Sequence, residues 1–576
     1  MTPQTMPATD AYLGLRAFAD ELARCGLEHA CTSPGSRSTP LVLSLAREPG
    51  IRSTSHIDER CGSFFALGLA KATGRPVGLA CTSGTAAANY APAVHEAREA
   101  RVPLLVLTAD RPPELREIGA GQTIDQVKLY GGAVKWFLEV DDQPATPERM
   151  RWLRQLACRV YWTALEGRPG PVHLNFSLRE PLVLGEPLPA DEPGGGGRDG
   201  GRPWVTRPPA QPTAGPAVLD GLRAALDAHP RAVMVAGRSE RDPGLGEALA
   251  GLADALALPL LAEPLSGARR GPAAIAHYDA LLRDAGFAAA HAPDLVLRFG
   301  DLPTSKPLRQ WLHGLDALQI AFDAETAWQD PAGRVGTIVT ADPRVLAPAE
   351  RRGERGWLDG WRRADRAAAG AIAQALGELS EPRVAAELGV RLPAEATLVV
   401  ASSMPVRDVE TFFPARDAPP RVLSNRGANG IDGTVSTAFG VAAAGGGPAV
   451  LLIGDVALAH DVGGLLAARR LRLPLVIVLL NNDGGGIFNF LPVEREGADF
   501  ERHVATPHGL DFTHAAALYG LGHERVADPE GFRAALDRAL AAGAATIIEV
   551  RTDRAENVAL HRRVWEAVAE SVRSGA

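Results

Sequence analysis

Two polar, glycine-containing sequences each follow a strand-like apolar run in the last third of the chain. Gly454-Asp455 comes directly after residues 450–453, and Asn481-Asn482-Asp483-Gly484 comes directly after residues 475–480. A helix-length segment, 458–471, lies between them, which predicts a β-α-β unit with parallel neighbouring strands. Carboxylate and amide oxygens are ligands suited to Mg²⁺, and glycines let the backbone approach a diphosphate. The pattern therefore predicts a metal and diphosphate site at one edge of a sheet.

A second stretch with chemical potential, His56-Ile57-Asp58-Glu59-Arg60, lies in the first part of the chain. Glu59 stands where a strand-like segment gives way to a helix. A glutamate at such a junction can simply complement the helix N-terminus. Two further loops favour a ligand site instead. Residues 81–89 form a strand-to-helix turn, and residues 426–433 form a glycine-rich loop before a helix of small residues.

Composition limits the classes of function. The chain has 46% hydrophobic and 22% charged residues, as is usual for a soluble globular protein. A net charge of −8 without a basic run argues against nucleic acid as a partner. No apolar run is long enough to span a bilayer, and the N-terminal sequence lacks the pattern of a secretory signal. Five cysteines without a CxxC pair argue against a disulfide framework or zinc site and predict a cytoplasmic protein.

The order of apolar runs and helical patterns predicts an α/β fold with three doubly wound parallel-sheet domains. We expect domains at 1–184, 213–365 and 366–576, with a Pro- and Gly-rich exposed linker at 185–212. A charged helical connector is expected at 350–381. The first helix is predicted at 11–25, and the strands are predicted at 29–32, 78–81, 104–107, 172–176, 232–236, 258–262, 295–299, 317–322, 398–401, 422–424, 450–453, 475–480 and 547–550.

Together these motifs resemble those of the thiamine-diphosphate-dependent enzymes, which carry one essential glutamate and a GD…NN metal motif in separate domains. The resemblance implies that Asp455, Asn482 and the carbonyl of Gly484 bind Mg²⁺ or Mn²⁺. It implies that Glu59 is the acid that activates thiamine diphosphate. Because the two motifs lie in different domains, it also implies a homodimer or homotetramer with active sites at the subunit interface. The other cofactor-binding residues that it implies are Thr82, Ser83, Gly84, Ser403, Ile431, Gly454, Gly485, Ile487 and Phe488.

Five runs narrow the resemblance to one branch, the 2-succinyl-5-enolpyruvyl-6-hydroxy-3-cyclohexene-1-carboxylate synthases of menaquinone biosynthesis. The runs are 32–41 (TSPGSRSTPL), 108–115 (TADRPPEL), 119–126 (GAGQTIDQ), 424–433 (SNRGANGIDG) and 485–492 (GGIFNFLP). The branch decarboxylates 2-oxoglutarate and adds the resulting carbanion to isochorismate. Both substrates are dianions, and arginine side chains suit carboxylates. The implied substrate-binding residues are Ser36, Arg37, Arg111, Gln122, Lys306, Arg407, Arg426, Ile487, Phe488 and Leu491.

Two roles stay open at this stage. The acid in the addition step could be Glu59, acting through the cofactor, or a water held by Gln122. Some members of the branch carry a second basic residue directly after the lysine that matches Lys306. Here that position is Pro307, and Arg309 is nearby.

Three alternatives compete with this interpretation. An acetolactate synthase or another thiamine-diphosphate carboligase would share the cofactor motifs, but the arginines of SPGSRS and ADRPPEL favour large anionic substrates. A non-catalytic cofactor sensor would not need Glu59. A plain nucleotide-binding protein would explain the glycines at the strand ends but neither Glu59 nor the arginines.

Overall fold

The computed structural model describes residues 8–189, 196–208, 210, 212–346, 353–354 and 356–574. Within these ranges the chain forms two compact units. Unit 1 contains the described residues up to 208 together with 425–444 and 463–467. Unit 2 contains the remaining described residues up to 424, then 445–462 and those from 468 onward.

The strands form three sheets in which every recorded strand pair is parallel. The first sheet has the order β2-β1-β3-β4-β6-β5, the second β11-β10-β9-β7-β8 and the third β13-β12-β14-β15-β17-β16. Strand bounds are β1 His29–Thr32, β2 Arg52–Ser55, β3 Val77–Cys81, β4 Leu104–Asp110, β5 Phe137–Asp141, β6 Val172–Ser177, β7 Ala232–Ala236, β8 Leu260–Ala262, β9 Leu295–Phe299, β10 Leu318–Phe322, β11 Thr337–Val339, β12 Thr397–Val400, β13 Arg421–Leu423, β14 Ala449–Gly454, β15 Val476–Asn481, β16 Gly522–Val526 and β17 Thr546–Arg551. The expected fold class of three doubly wound parallel sheets is confirmed.

Helices connect the strands, as parallel sheets require. Helix bounds are α1 Ala8–Cys25, α2 Thr39–Arg47, α3 Glu59–Thr73, α4 Thr85–Asn89, α5 Ala91–Ala100, α6 Pro147–Leu165, α7 Pro216–Ala228, α8 Pro243–Leu256, α9 Tyr278–Leu281, α10 Ala285–Ala290, α11 Lys306–Gly314, α12 Trp357–Ala375, α13 Glu381–Arg391, α14 Met404–Phe412, α15 Thr434–Ala444, α16 Asp455–His460, α17 Leu466–Leu471, α18 Ala498–Phe500, α19 Phe512–Tyr519, α20 Pro529–Ala542 and α21 Arg554–Ser574. None of these helices is both long enough and apolar enough to cross a membrane.

Within unit 1, α15 packs directly against α3, although the two helices are more than three hundred residues apart in the chain. Glycines allow this close approach. A Cβ atom at Gly68 would lie 2.0 Å from the carbonyl oxygen of Thr437, and one at Gly440 would lie 2.0 Å from that of Phe65. Any larger residue would push the helices apart. The loop that precedes α15 is therefore held at the N-terminal sheet of the same chain.

Three sequence-based expectations need correction. The single helix expected at 458–471 is wrong. The structure has α16, a tight turn over Val462–Leu465 and then α17. The glycine pair Gly463-Gly464 allows this break, and Gly463 packs beside Cys61, since a Cβ there would lie 3.4 Å from its sulfur. The helix also begins earlier than expected, at Asp455, immediately after β14.

The segment expected to be a charged connector at 350–381 is helical, but it is not a bare connector. Residues 350–352 and 355 lie outside the described residues. Helix α12 buries Trp361, Ala368 and Ile372 in the largest apolar core of unit 2 and packs along α21.

The linker expected at 185–212 is only partly exposed. Residues 190–195, 209 and 211 lie outside the described residues. In its described part Trp204 packs against the core of unit 1. The Nε1–H of Trp162 donates to the carbonyl of Val205 at 3.0 Å. This part of the linker is fastened to α1 and α6, because Arg24 also donates to the carbonyl of Arg198 at 2.8 Å.

Candidate active site

The two polar sequences at the ends of β14 and β15 meet as predicted. The strands pair in register, with Gly454 opposite Leu480. Asp455 begins α16 and is buried. Its Oδ2 accepts the backbone N–H of Gly484 at 3.0 Å, and its Oδ1 accepts that of Val456 at 2.7 Å. Burial raises the pKa of Asp455, while these N–H groups act in the opposite direction.

The two consecutive asparagines have different partners. Asn481 points its amide to Glu549 of β17, where Nδ2 donates to Oε1 at 2.7 Å. Asn482 donates from Nδ2 to Oε1 of Glu381 at 2.8 Å. The Oδ1 of Asn482 is buried and has no hydrogen-bond partner among the residues that the structure describes. A buried oxygen without a donor costs free energy unless a ligand satisfies it, so Asn482 together with the Asp455 carboxylate fits a hard divalent cation.

Gly484 requires its glycine for two reasons. Its φ is +142°, and a Cβ would lie 2.5 Å from the carbonyl oxygen of Ala505.

A histidine that the sequence analysis missed also lies near the ends of these strands. The Nε2 of His508 is 3.3 Å from Oδ2 of Asp455, and its Nδ1 is 3.4 Å from Oδ1 of Asp483. No motif identified it, because it lies in a loop beyond the glycine-rich sequence.

Arg407 lies in the first turn of helix α14 in unit 2. This helix follows β12, the direct neighbour of β14 in the sheet. Ser403, at its N-terminus, has a φ of +77°, an uncommon value for a residue with a side chain. Arg407 donates from Nη1 to the Ser403 carbonyl at 2.5 Å. Burial lowers the pKa of Arg407, and the positive charge of Arg309 lowers it further, so these two arginines are near each other.

Lys306 is the first residue of α11 and is exposed. Arg309 lies three residues later on the same short helix, which places a second cation close to the lysine without a directly adjacent basic residue. Some members of the branch carry a second basic residue directly after this lysine, where this chain has Pro307. Arg309 is the candidate for the same charge in this structure.

The residues expected to form an apolar wall lie in and just after a tight turn, Gly486–Phe490. Phe488 is 38% exposed and Leu491 is 46% exposed, while Ile487 is half-buried. Exposed large apolar side chains next to a polar strand edge are typical of a binding surface. Gly485 precedes this turn and is half-buried.

In unit 1, Glu59 is the first residue of α3 and follows the cap residue Asp58. Burial raises the pKa of Glu59, and the neighbouring charge of Asp58 raises it further. Burial, and to a lesser extent the charge of Glu59, also raises the pKa of the Cys81 thiol at the end of β3. Glu59 therefore lies near the strand-to-helix turn that begins with Thr82.

That turn is joined to two residues expected to bind substrate. The Oγ of Ser83 donates to the carbonyl of Gln122 at 3.0 Å, and the Nε2 of Gln122 donates to the carbonyl of Ser83 at 3.0 Å. The Nη1 of Arg111 also donates to the Ser83 Oγ. Gly84 has a φ of +80°, and Gln122 has a φ of +54°. Ser83, Gly84, Arg111 and Gln122 are thus brought together as one group.

Arg37 and Arg111 lie close enough to interact. Burial lowers the pKa of Arg111, and the positive charge of Arg37 lowers it further. Arg37 donates to the carbonyl of Leu178 at 2.8 Å and pairs with Glu180 at 3.2 Å, while its buried Nε has no hydrogen-bond partner within the described ranges. Two neighbouring guanidinium groups with unused donor capacity favour binding of an anion.

The loop that contains Ser36 packs on the turn after β3. A Cβ at Gly35 would lie 2.3 Å from the Cβ of Thr82. Ser36 itself is exposed and Thr82 is buried.

Gln126 is a second residue that the sequence analysis did not single out. It is buried, and its Oε1 accepts the N–H of Gly84 at 2.9 Å. Its Nε2 donates to the carbonyl of Ala109 at 3.2 Å and to Oδ1 of Asn175 at 2.9 Å. It therefore ties the Gly84 turn to the strand end that precedes Arg111. Its motif, GAGQTIDQ, drew attention to Gln122 instead.

The loop with Arg426 and Ile431 is anchored in unit 1 by a buried glutamate. Both oxygens of Glu96 accept backbone N–H groups, from Gly427 at 2.9 Å and from Ala428 at 2.6 Å. Lys71, also buried, lies 3.8 Å from Glu96. Arg426 and Ile431 are half-buried at the two ends of this loop.

The predicted residues therefore fall into two groups. Unit 1 contains Ser36, Arg37, Glu59, Thr82, Ser83, Gly84, Arg111, Gln122, Arg426 and Ile431, and unit 2 contains Lys306, Ser403, Arg407, Gly454, Asp455, Asn482, Gly484, Gly485, Ile487, Phe488 and Leu491.

Three family profiles match consecutive parts of the chain. One described as thiamine pyrophosphate enzyme, N-terminal TPP binding domain, matches residues 14–129. One described as middle domain of thiamine pyrophosphate matches 203–400, and one described as thiamine pyrophosphate enzyme, C-terminal TPP binding domain, matches 405–550. With the parallel sheets and the strand-end site, these matches define a thiamine pyrophosphate enzyme.

Curated relatives narrow the class. The chain is 44% identical over 568 residues to a 2-succinyl-5-enolpyruvyl-6-hydroxy-3-cyclohexene-1-carboxylate synthase of Geobacillus kaustophilus, covering 96% of this chain and 97% of the relative. It is 44% identical to the synthase of that name from Chloroflexus aurantiacus (96% of each chain covered) and 43% identical to that from Myxococcus xanthus (99% of each). The chain belongs to the 2-succinyl-5-enolpyruvyl-6-hydroxy-3-cyclohexene-1-carboxylate synthase family.

Proposed function

We propose that this protein decarboxylates 2-oxoglutarate with thiamine diphosphate and adds the remaining succinyl unit to isochorismate, as a transferase of menaquinone biosynthesis. The observation that carries the proposal is the group formed by Arg37, Arg111, Ser83 and Gln122 beside the turn that Glu59 approaches. The two arginines can bind the carboxylates of the substrates, and Glu59 can act as the acid that activates the cofactor.

Glu59 is proposed as the activating acid. Bound thiamine diphosphate would supply the thiazolium ring that accepts the electron pair of the broken carbon–carbon bond. Glu59 would donate a hydrogen bond from its carboxyl group to a ring nitrogen of the cofactor. Burial raises its pKa, which favours the protonated form needed for this bond. Gln122, held by its two bonds to Ser83, is proposed to position a water for the addition step.

Mg²⁺ or Mn²⁺ is the proposed metal. Asp455, Asn482 and the Gly484 carbonyl would hold it, and the unsatisfied Oδ1 of Asn482 supports this assignment. The backbone of Gly454 and Gly485 would lie next to the diphosphate. The metal would neutralise the charge of the diphosphate and fix it at the strand ends.

The arginines are proposed to bind the substrate carboxylates. Arg37, Arg111 and Arg426 would act from unit 1. Arg407 and Lys306 would act from unit 2, with Ser36 and Ser403 adding neutral hydrogen bonds and Arg309 a further positive charge. Ile487, Phe488 and Leu491 would form the apolar wall beside the reacting carbons.

We also propose a homodimer or homotetramer in which the acid of one subunit serves the metal site of another. Large apolar side chains near the site residues of unit 1 support an interface there. Ile57 is 62% exposed beside Glu59, and Ile118 is 68% exposed in the loop before Gln122. In the proposed oligomer the neighbouring subunit would cover these side chains. Light scattering on purified protein measures the oligomeric state.

A cytoplasmic location is proposed as well. The Sγ of Cys25 donates a hydrogen bond to the Sγ of Cys158 at 3.6 Å, and the two residues are not joined by a disulfide. Such a pair stays reduced in a compartment kept reducing by thiols.

Donor specificity tests the proposal against the acetolactate synthase alternative. Pyruvate lacks the distal carboxylate of 2-oxoglutarate, and one hydrogen bond to a charged group contributes about 1.5–3 kcal/mol. We therefore expect kcat/KM for 2-oxoglutarate to exceed that for pyruvate by at least about tenfold. A preference for pyruvate would favour the alternative.

A further inference from the structure

The amide of Asn482 has a defined orientation, and one buried glutamate fixes it. An asparagine can place either its NH₂ group or its oxygen toward a neighbour, and the partner decides which. Here Nδ2 donates to Oε1 of Glu381 at 2.8 Å. The amide oxygen must then point the other way, and this buried Oδ1 has no hydrogen-bond partner in the described part of the chain.

Glu381 is well held for this purpose. It is the first residue of α13 and is 1% exposed. Its Oε1 accepts a second hydrogen bond, from the Oγ1 of Thr552 at 2.8 Å. The backbone of Thr552 in turn donates to the carbonyl of Asn481 at 3.0 Å. The carboxylate is thus tied to the same strand end that it orients.

The neighbouring asparagine shows that this arrangement is specific to Asn482. Asn481 uses its amide to reach Glu549, and its Oδ1 accepts the N–H of Asp483 at 3.3 Å. Both polar atoms of Asn481 are therefore satisfied inside the protein. Of the two asparagines, Asn482 alone has an amide oxygen without a hydrogen-bond partner among the described residues.

We propose that Glu381 is a positioning residue that holds the Asn482 amide with its oxygen directed toward the divalent cation. The inference rests on the proposed function, because it takes Asn482 as a metal ligand. Residues that orient metal ligands typically change metal affinity by 10–100-fold when they are replaced. Glu381 lies 101 residues before Asn482 in the chain, so the spacing of the metal motif does not indicate its role.

The test measures Mn²⁺ binding by electron paramagnetic resonance in the full-length protein with thiamine diphosphate and without substrate. Glu381→Met removes the acceptor and frees the amide to rotate. We expect it to weaken Mn²⁺ binding by about 10–100-fold. Glu381→Gln keeps a carbonyl oxygen that can accept the same hydrogen bond, so we expect its affinity to stay within about threefold of wild type, well below the loss of about 10–100-fold expected for Glu381→Met.

Glu387→Met is the matched control. Glu387 lies on the same helix and pairs with Arg383 and Arg533, away from Asn482. If destabilising α13 were enough to weaken Mn²⁺ binding, Glu387→Met would also lose affinity. We expect its Mn²⁺ affinity to be unchanged.

Three results would overturn the inference. Glu381→Met could bind Mn²⁺ like wild type, Glu387→Met could lose affinity equally, or Glu381→Gln could lose tenfold or more. The last result, which stays measurable if Glu381→Met does not fold, would mean that negative charge rather than amide orientation matters. If the wild-type protein itself bound no Mn²⁺ with thiamine diphosphate, the proposed function would fail instead.

Discussion

Replacing Glu59 by glutamine separates the chemical role of this residue from its structural role. Glu59 begins α3, but the cap of this helix is Asp58, whose Oδ1 accepts the N–H of Cys61 at 3.1 Å. The substitution keeps the size of the side chain and removes one negative charge at a helix N-terminus, an interaction worth about 0.3–1 kcal/mol. Because burial raises the pKa of Glu59, its charge is disfavoured overall in the folded protein, and removing that charge should cost no stability near neutral pH.

The expected loss of activity is much larger. A positioned acid or base contributes about 10²–10⁴-fold to a rate. At about 1.4 kcal/mol for each factor of ten, this equals roughly 3–5 kcal/mol of activation free energy. Glu59→Gln should therefore lose at least about a hundredfold in turnover of 2-oxoglutarate, while its thermal unfolding temperature stays near that of wild type.

Glu148→Gln is the matched control, because Glu148 is an exposed glutamate in the first turn of α6. It loses the same kind of charge without touching the site, so its turnover should be unchanged. The reasoning about Glu59 is refuted if Glu59→Gln keeps more than a tenth of wild-type turnover, or if both variants lose activity alike.

The raised pKa of Glu59 gives this variant a pH signature. A group whose pKa is higher in the folded state contributes its stability below its ordinary value, here 4.5, and loses it as the pH rises through the folded value. The stability of wild type relative to Glu59→Gln should therefore fall as the pH rises above 4.5. Urea unfolding at several pH values measures this difference, and a constant difference would contradict the assigned shift.

Three further predictions address binding and packing. Arg111→Lys loses the planar fork and should raise KM for at least one dianionic substrate by about 10–100-fold, as measured by steady-state kinetics, because a hydrogen bond to a charged group contributes about 1.5–3 kcal/mol. Gly440→Ala places a Cβ 2.0 Å from the Phe65 carbonyl oxygen and should lower the free energy of unfolding, measured in urea, by about 1–3 kcal/mol. Gly370→Ala on α12 is its control: a Cβ there has no neighbouring described atom within 4 Å, so this variant should raise the free energy of unfolding by up to about 1 kcal/mol. His561→Ala leaves Asp408, now 2.8 Å from the ring, buried without its partner and should cost about 3–5 kcal/mol. Although burial lowers the pKa of His561, pairing with Asp408 raises it overall, so this cost should be largest below pH 6.5 and shrink as the pH rises through the folded pKa.

Burial explains which strands could be predicted from sequence. The interior strands β14 and β15 are buried along their length and appear as continuous apolar runs, so their expected bounds were right to within one residue. The sequence analysis gave no bounds for four strands: β2, β5, β11 and β16. Each lies at the edge of its sheet and is partly exposed, which removes the apolar run. The sequence analysis predicted one helix across the glycine pair at 463–464, because the surrounding residues are good helix formers.

The same distinction holds for the candidate site. Residues in short motifs at strand ends, such as Asp455 and Asn482, could be identified because local spacing places them. Glu381 and His508 could not, because each reaches the site through tertiary packing from a helix start or loop that has no sequence signature of its own. Gln126 lies within the GAGQTIDQ motif, but its contacts with Ala109 and Asn175 form only in the folded chain.

One measurement tests the central claim most directly. Purified protein with thiamine diphosphate, Mg²⁺, 2-oxoglutarate and isochorismate is followed for release of CO₂ and loss of isochorismate in the same sample. The account predicts that the two occur together in a ratio of one to one, and that neither occurs when thiamine diphosphate is omitted. Release of CO₂ without loss of isochorismate, or no turnover at all, would contradict it.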